Sequence, residues 1–348
     1  MSDLILPIAG KSSRFPNLRP KWMLTHPNGN FMLIEAIKGL NLKKFKKVYI
    51  IVLNKHLNEY KFEKGLKNQL HNIGVKNFKL IILDQETESQ AETVYNGIKI
   101  GKINGSICIK DCDNYFDIET NDTNFISIEK LSNFKNINAK NKSYINTNEF
   151  GNIINIAEKQ IISDSFCTGC YGFKSSKDFI KYFEILKDKK DLYISHIVYK
   201  MILDNHIFKT IKCNNYIDWG TKEDWDNYKL EYKTIFIDLD GVLVKNSSEH
   251  FIPKWCETEP IKENVELVRK LYNSGKAQII ITTSRKSYLK KQIIKELNEK
   301  NIPYHKLILD LFHAKRFLIN DFSDTNKYPS CEAINLIRDN NNLNKYIN

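Results

Sequence analysis

Two stretches of the chain place aspartates two residues apart where an apolar run ends: Lys110-Asp111-Cys112-Asp113-Asn114 and Ile237-Asp238-Leu239-Asp240-Gly241. Carboxylates delivered from strand ends to one crevice can hold Mg²⁺, which bridges phosphate oxygens and offsets charge in phosphoryl or nucleotidyl transfer. Asp218, in Tyr216-Ile217-Asp218-Trp219-Gly220-Thr221, is a further candidate. Spacing alone does not separate the first pair from a solvated turn. The second pair is more specific: one Asp can attack phosphorus, the other can act as acid and then base, and Gly241 allows a tight exit. Far upstream, Ala9-Gly10-Lys11-Ser12-Ser13-Arg14 is a small-residue loop whose backbone N–H groups can approach a phosphate. Arg14 and Lys21 add charge where a triphosphate would need it. The loop matches neither the Walker pattern nor GxGxxG, so it supports neither a P-loop ATPase nor a dinucleotide-dependent dehydrogenase.

Short buried strands must deliver these groups. Apolar runs at Leu4–Ala9, Val48–Leu53, Lys79–Leu83 and Ser106–Lys110 are bounded by polar residues or Gly, as buried parallel strands should be. Between the second and third, Leu57, Tyr60, Leu66, Leu70 and Ile73 recur at helical steps before Gly74, which predicts a helix and its stop. The pattern starts afresh at Thr234–Leu239, followed by runs at Gln278–Thr283, Lys306–Leu309 and Arg316–Ile319. Pro260 opens and Gly275 closes a helix lined by Val265, Val268 and Leu271. The expectation is α/β architecture in two doubly wound units, residues 1–230 and 231–348, without a flexible linker at Tyr228–Lys233.

The first two-thirds resembles the sugar-phosphate nucleotidyltransferase family. Its elements read in order as Ala9-Gly10 through Arg14, Pro20-Lys21, Asp111 with Asp113, Glu158-Lys159, and Asp218-Trp219-Gly220-Thr221. The resemblance implies a doubly wound, GT-A or Rossmann-like domain that joins a nucleoside triphosphate to a sugar or polyol phosphate and releases pyrophosphate. Arg14 and Lys21 would meet the phosphates around the reacting centre, and Asp111 and Asp218, with Asp113 nearby, would hold Mg²⁺. Ala9, Gly10 and Gln90, within Ser89-Gln90-Ala91-Glu92-Thr93, would face the nucleotide. Glu158, Lys159 and Gly169 would face the acceptor, with Lys159 on its phosphate. Two positions depart from the family pattern: Ser12 replaces the second loop glycine, and Glu92 replaces the glycine of the base segment. CTP, GTP, UTP and dTTP all remain open.

The last third resembles the haloacid-dehalogenase-like phosphohydrolases, through Asp238-Leu239-Asp240-Gly241 after a strand and Thr282-Thr283-Ser284-Arg285 at the end of the next. This implies a Rossmann-like domain with Asp238 as nucleophile, Asp240 as acid and base, Thr283 on the phosphoryl group and Lys315 steadying both. Asp321 would complete the Mg²⁺ set with Asp238 and Asp240, and Asp324 is a lesser candidate. Between Val244 and Pro260 there is room for a short loop but no large cap, so the implied site is open.

Composition narrows the classes. The 348 residues are 42% hydrophobic and 27% charged, with 14 Gly and 8 Pro, which excludes collagen-like and Pro-rich disordered chains. No apolar run approaches the roughly 20 residues that span a bilayer. The opening Met1-Ser2-Asp3 lacks a basic stretch ahead of an apolar one, so a soluble, cytoplasmic protein is expected. Seven Cys without a dense framework predict reduced thiols, and Cys167-Thr168-Gly169-Cys170 lacks the second pair or His cluster of a zinc site. Lys and Arg exceed Asp and Glu by 53 to 41, but Lys is dispersed and no nucleic-acid motif accompanies it. The charge fits phosphate-bearing ligands and not nucleic acid. A homo-oligomer is left open. The leading expectation is a bifunctional enzyme acting in bacterial capsule or lipopolysaccharide precursor synthesis. Its alternatives are a transferase with a silent second domain and a nucleotide-binding regulator without turnover.

Overall fold

The apolar runs become strands in a computed structural model of the chain, which describes residues 1–134, 137–321 and 331–347. The chain divides into two units, Met1–Asp226 and Asn227–Asn348.

In the first unit, β1 (Asp3–Pro7), β2 (Val48–Leu53), β3 (Phe78–Leu83) and β4 (Ile107–Lys110) pair in parallel in the order β3-β2-β1-β4. Each lies within two residues of the run that predicts it. Alternation along β1 sends Ile5 to one face and Leu4 and Leu6 to the other, and both faces carry a buried apolar cluster. A sheet covered on both faces is the doubly wound arrangement. One face packs under α4 (Gln90–Gly101), α5 (Ser176–Leu186) and α6 (Ile194–Leu203); the other packs under α1 (Met32–Ile37) and α3 (Glu63–Asn72).

The single helix expected between β2 and β3 is two. α2 (Asn54–Tyr60) stops at Lys61, whose φ of 47° is left-handed, and α3 starts afresh. Five further strands complete this sheet or pair beside it: β5 (Asn114–Asp117), β6 (Phe125–Lys130), β7 (Ser143–Thr147), β8 (Ile153–Glu158) and β9 (Ser165–Phe173). β9 runs antiparallel to both β4 and β6, and β7 joins β8 to β9. β10 (Lys209–Lys212) closes the edge beside β6, β11 (Asn214–Asp218) pairs antiparallel with β5, and α7 (Lys222–Leu230) follows.

The second unit departs from the doubly wound expectation. β12 (Lys233–Asp238), β13 (Ala277–Thr282) and β14 (Lys306–Ile308) form a parallel sheet in chain order. Right-handed crossovers that step the same way twice leave α8 (Lys262–Asn273) and α9 (Lys290–Glu299) on one face. Ile237, Ile279 and Ile281 pack there with Val265, Val268, Ile293 and Leu297. On the other face Phe236 is half exposed. The expected strand at Arg316–Ile319 does not form: these residues belong to no helix or strand and have no ladder partners among the described residues, and Ile319 is exposed. An apolar run specifies a strand only when an edge receives it. No helix or strand lies between Val244 and Pro260, apart from isolated bridges. No described helix is long and apolar enough to cross a membrane.

Candidate functional site

Strand pairing assembles the acids of the first unit. β4 ends at Lys110, opposite Cys170 of β9, and the Asp111 N–H donates to the Gly169 carbonyl at 2.8 Å. The chain then turns through Asp113 into β5, whose partner β11 sets Asp218 opposite Asn114; the Trp219 N–H donates to the Asp113 carbonyl at 2.9 Å. Two antiparallel neighbours thus bring Gly169 and Asp218 to the Asp111–Asp113 turn from far along the chain. A point beside Gly220 lies 3.0 Å from Asp218 Oδ1, 3.3 Å from Arg14 Nη1 and 3.9 Å from Asp113 Oδ2.

Each acid has a partner. Asp113 Oδ2 accepts from Lys21 Nζ and from Arg14 Nη2, the latter at 3.3 Å. Burial raises the Asp113 carboxyl, but Lys21 and Arg14 outweigh it and hold the group well below the usual carboxylate range. Among the described residues Asp111 meets no cation directly; Gln90, in the first turn of α4, donates to its Oδ1. Burial and the Asp113 carboxylate push the Asp111 carboxyl up to about 6. Asp218 is paired with Lys142.

The loop after β1 has a buried Ala9 at its base and an exposed Gly10, where a Cβ would meet nothing within 4 Å. Ser12, at the departure from the family pattern, adopts the left-handed φ of 49° that a glycine would take more easily, and its hydroxyl accepts the Lys21 N–H at 3.2 Å. Glu92, the other departure, caps α4: Ser89 Oγ accepts the Glu92 N–H, and the Glu92 carboxylate accepts the Glu88 N–H at 2.7 Å. Of the residues that the resemblance assigns to the acceptor, Glu158 takes hydrogen bonds from Ser143 and Ser195, the latter at 2.7 Å. Lys159 lies exposed with its Nζ on the Tyr193 hydroxyl and over its ring, a bond that raises its pKa.

Two lysines escaped the sequence reading. Lys110 is fully buried, and its ammonium donates to the Asp111 and Asn114 carbonyls at 2.7 and 3.3 Å, tying the turn closed beneath the acids. Lys142 stands just before β7, outside every motif. The sequence signal for Lys110 was its place at the end of the apolar run Ile107-Cys108-Ile109, and Lys142 had none.

Asp113 is taken up by Lys21 and Arg14, which leaves Asp111 and Asp218 as carboxylate-oxygen donors of the kind that suits a hard cation such as Mg²⁺, Asp218 only if Lys142 gives way. Among the described residues no group of three or more His, Cys, Asp or Glu could by itself hold a metal ion. An ion here would have to be bound through one or two carboxylates, with phosphate and water completing its shell. The Asp111 carboxyl is raised first by burial and second by the Asp113 carboxylate, and a cation would offset only the second. The sign of this shift gives a prediction. A carboxyl raised in the folded state contributes stability that is present below the ordinary aspartate range and lost as pH rises through about 6. In metal-free buffer, Asp111→Asn should therefore gain stability over wild type as pH rises from the acid range to neutrality. Unfolding curves that stay parallel at all pH values would contradict it.

In the second unit, Asp238 ends β12 and Asp240 follows it. Arg285, buried completely, donates to both Asp240 oxygens, from Nε at 3.2 and 3.0 Å and from Nη2 to Oδ1 at 2.8 Å, while Nη1 meets Glu296. Thr283 Oγ1 and Ser247 Oγ complete the Asp240 shell at 3.3 and 2.7 Å. Burial raises the Asp238 carboxyl against the opposing pull of Arg316, whose Nη2 lies 3.1 Å away. Lys315 is exposed, its Nζ over the Phe317 ring, so the basic group on Asp238 is its neighbour Arg316. Asp321 is exposed, and Asp324 lies outside the described residues. With a guanidinium on each acid of the pair, these residues do not fit a resident divalent ion as they stand.

All seven cysteines are free, and Cys167 and Cys170 are buried within β9.

No protein-family model matches the chain, and no curated protein matches it. Solved structures do share its fold. A nucleoside-diphosphate-sugar pyrophosphorylase from Vibrio cholerae superposes with a TM-score of 0.55 at 22% identity, over 65% of this chain and 98% of its own. The inositol-1-phosphate CTP transferase from T. maritima gives 0.51 at 16%, over 64% and 91%. A UDP-glucose pyrophosphorylase complexed with UDP-glucose gives 0.50 at 16%, over 65% and 96%. The chain therefore contains, over about two-thirds of its length, the α/β fold of these structures.

Proposed function

We propose that the first unit transfers a nucleotidyl group from a nucleoside triphosphate to a sugar or polyol phosphate. The observation that carries this reading is the gathering of Asp113 and Asp218 with Arg14, Lys21 and Lys142 around the turn that begins at Asp111. The names of the solved relatives, two pyrophosphorylases and a CTP transferase, point to the same class. A phosphate oxygen of the acceptor attacks the α-phosphorus, the bond to the β-phosphate oxygen breaks, and pyrophosphate leaves. Arg14 and Lys21 offset charge on the leaving group, Lys159 holds the acceptor phosphate, and Gly169 leaves room for Asp111. Asp111 and Asp218 would hold magnesium, which would supply further neutralisation of phosphate charge.

For the second unit the proposal is phosphomonoester hydrolysis, making the chain bifunctional along one precursor pathway for a bacterial surface polysaccharide. Asp238 attacks phosphorus, the ester oxygen leaves with a proton from Asp240, and water then cleaves the aspartyl phosphate. One observation favours a silent second unit instead: Arg285 occupies both oxygens of Asp240 that proton transfer would use.

Phosphorus NMR with Mg²⁺, each common nucleoside triphosphate and a panel of sugar and polyol phosphates separates these readings. Wild type should form a diphosphate diester and pyrophosphate, and Asp111→Asn should lose at least about 100-fold of that rate. Orthophosphate that disappears only in Asp238→Asn establishes the hydrolase. Diester formation that survives Asp111→Asn sinks the transferase site.

A further inference from the structure

Lys142 has a setting that no motif announces. Its side chain is 12% exposed, and its Nζ donates to Asp218 Oδ2 at 2.5 Å and to Tyr216 Oη at 2.7 Å. The rings of Tyr216 and Phe166 lie 5.3 and 5.8 Å from the same ammonium. Its backbone carbonyl accepts the Lys159 N–H at 2.9 Å, so the sheet ties it to the turn that carries the acceptor-side lysine. Lys142 is thus caged on its aromatic side and satisfied on the other by a carboxylate of the proposed cation set.

An ammonium and a divalent cation compete for one carboxylate. When the stronger charge takes Asp218, Lys142 loses its ionic partner while its aromatic cage still keeps it at the crevice. The nearby Asp113 carboxylate, which Lys142 also attracts, is already held by Lys21 and Arg14, so the anion left for Lys142 beside those cations is polyphosphate. We infer that Lys142 is a third phosphate-binding cation, held in reserve on Asp218 and transferred to phosphate oxygens when a divalent cation takes that carboxylate. The inference rests on the proposed nucleotidyl transfer and deepens it: occupancy of the carboxylates and binding of polyphosphate become coupled through one side chain, reciprocally, as linkage requires.

The test uses the full chain and two probes, Mn²⁺ followed by the electron-spin signal of the free ion and pyrophosphate followed by calorimetry, each alone and together. Lys142→Met removes a competitor from Asp218 and a ligand from phosphate. Mn²⁺ alone should bind about 3- to 10-fold more tightly, while pyrophosphate in the presence of Mn²⁺ should bind about 10-fold more weakly, a pair of changes within the usual range of site coupling. A damaged fold weakens both, so opposite signs identify the transfer. Lys142→Arg keeps the charge and should restore pyrophosphate binding. Both affinities unchanged, or both weakened, overturns the inference while wild-type binding leaves the transferase reading standing. Wild type that binds neither Mn²⁺ nor pyrophosphate overturns both.

Discussion

Arg285→Met should lower the stability of the second unit by about 3–5 kcal/mol, the usual cost of leaving a buried charge without its partner. Arg285 has no exposed side-chain surface, and the guanidinium is shared between Asp240 and Glu296, itself 2% exposed. Burial raises Glu296, yet Lys300, Thr258 and Arg285 together hold its carboxyl below the ordinary glutamate range. Met fills similar volume but offers no donor, so two inward-facing acids must either protonate or draw in water. Lysine, with one compact head, cannot span both acids as a planar fork does. Urea unfolding resolved by hydrogen exchange in peptides of residues 227–310 reads the effect where it arises. A loss below about 1 kcal/mol, the scale of an exposed pair, would mean the network is ornamental to folding.

Gly169→Ala is expected to abolish most transfer while the sheet stays folded. Gly169 sits in β9 with φ of +91°, and a Cβ there would overlap Asp111 Oδ2 and lie 2.7 Å from Asp111 Cγ. Asp111 cannot retreat easily, since its N–H is bonded to the Gly169 carbonyl and its Oδ1 to Gln90. The added methyl therefore moves the carboxylate. A displacement of about 1 Å in a positioned group costs on the order of 100-fold in rate. The strained backbone adds about 1–3 kcal/mol of destabilisation. Diester formation by phosphorus NMR, read beside the far-ultraviolet dichroism, checks this. Activity within a few-fold of wild type would show that Asp111 tolerates the shift and is not set by contact with Gly169. Gly10 makes the contrast, since a Cβ there meets nothing within 4 Å.

These two glycines look alike in the sequence, and so do Lys110, Lys142 and the many surface lysines. What separates them is who stands opposite. Gly169 matters because β9 pairs antiparallel with β4, and Lys142 because β11 returns Asp218 to the edge of β5. The resemblance to nucleotidyltransferases named Asp218 as a partner of Asp111, but no local pattern contains the β5–β11 pairing that joins them. In the second unit the run Arg316–Ile319 carries strand-like composition and remains unpaired, whereas Thr282-Thr283-Ser284-Arg285 conceals the buried guanidinium that organises the unit.

Local information was sufficient for the parallel core. Val48–Leu53 is a strand residue for residue, because six consecutive apolar side chains in a β-branched run have only a two-faced buried sheet to enter. Gly74 ends α3 and Gly275 follows α8 with positive φ, because a helix leaves carbonyls that a left-handed residue satisfies. The strand-end acids and the loop after β1 were legible for the same reason: their chemistry lies within a few residues. The break at Lys61, the one-sided sheet of the second unit, the pairing of Asp113 with Lys21 and Arg14, and the cations on Asp218 and Asp240 were settled by tertiary structure. Each depends on contacts between distant segments, where burial and charge acquire a value only after the chain has closed around them.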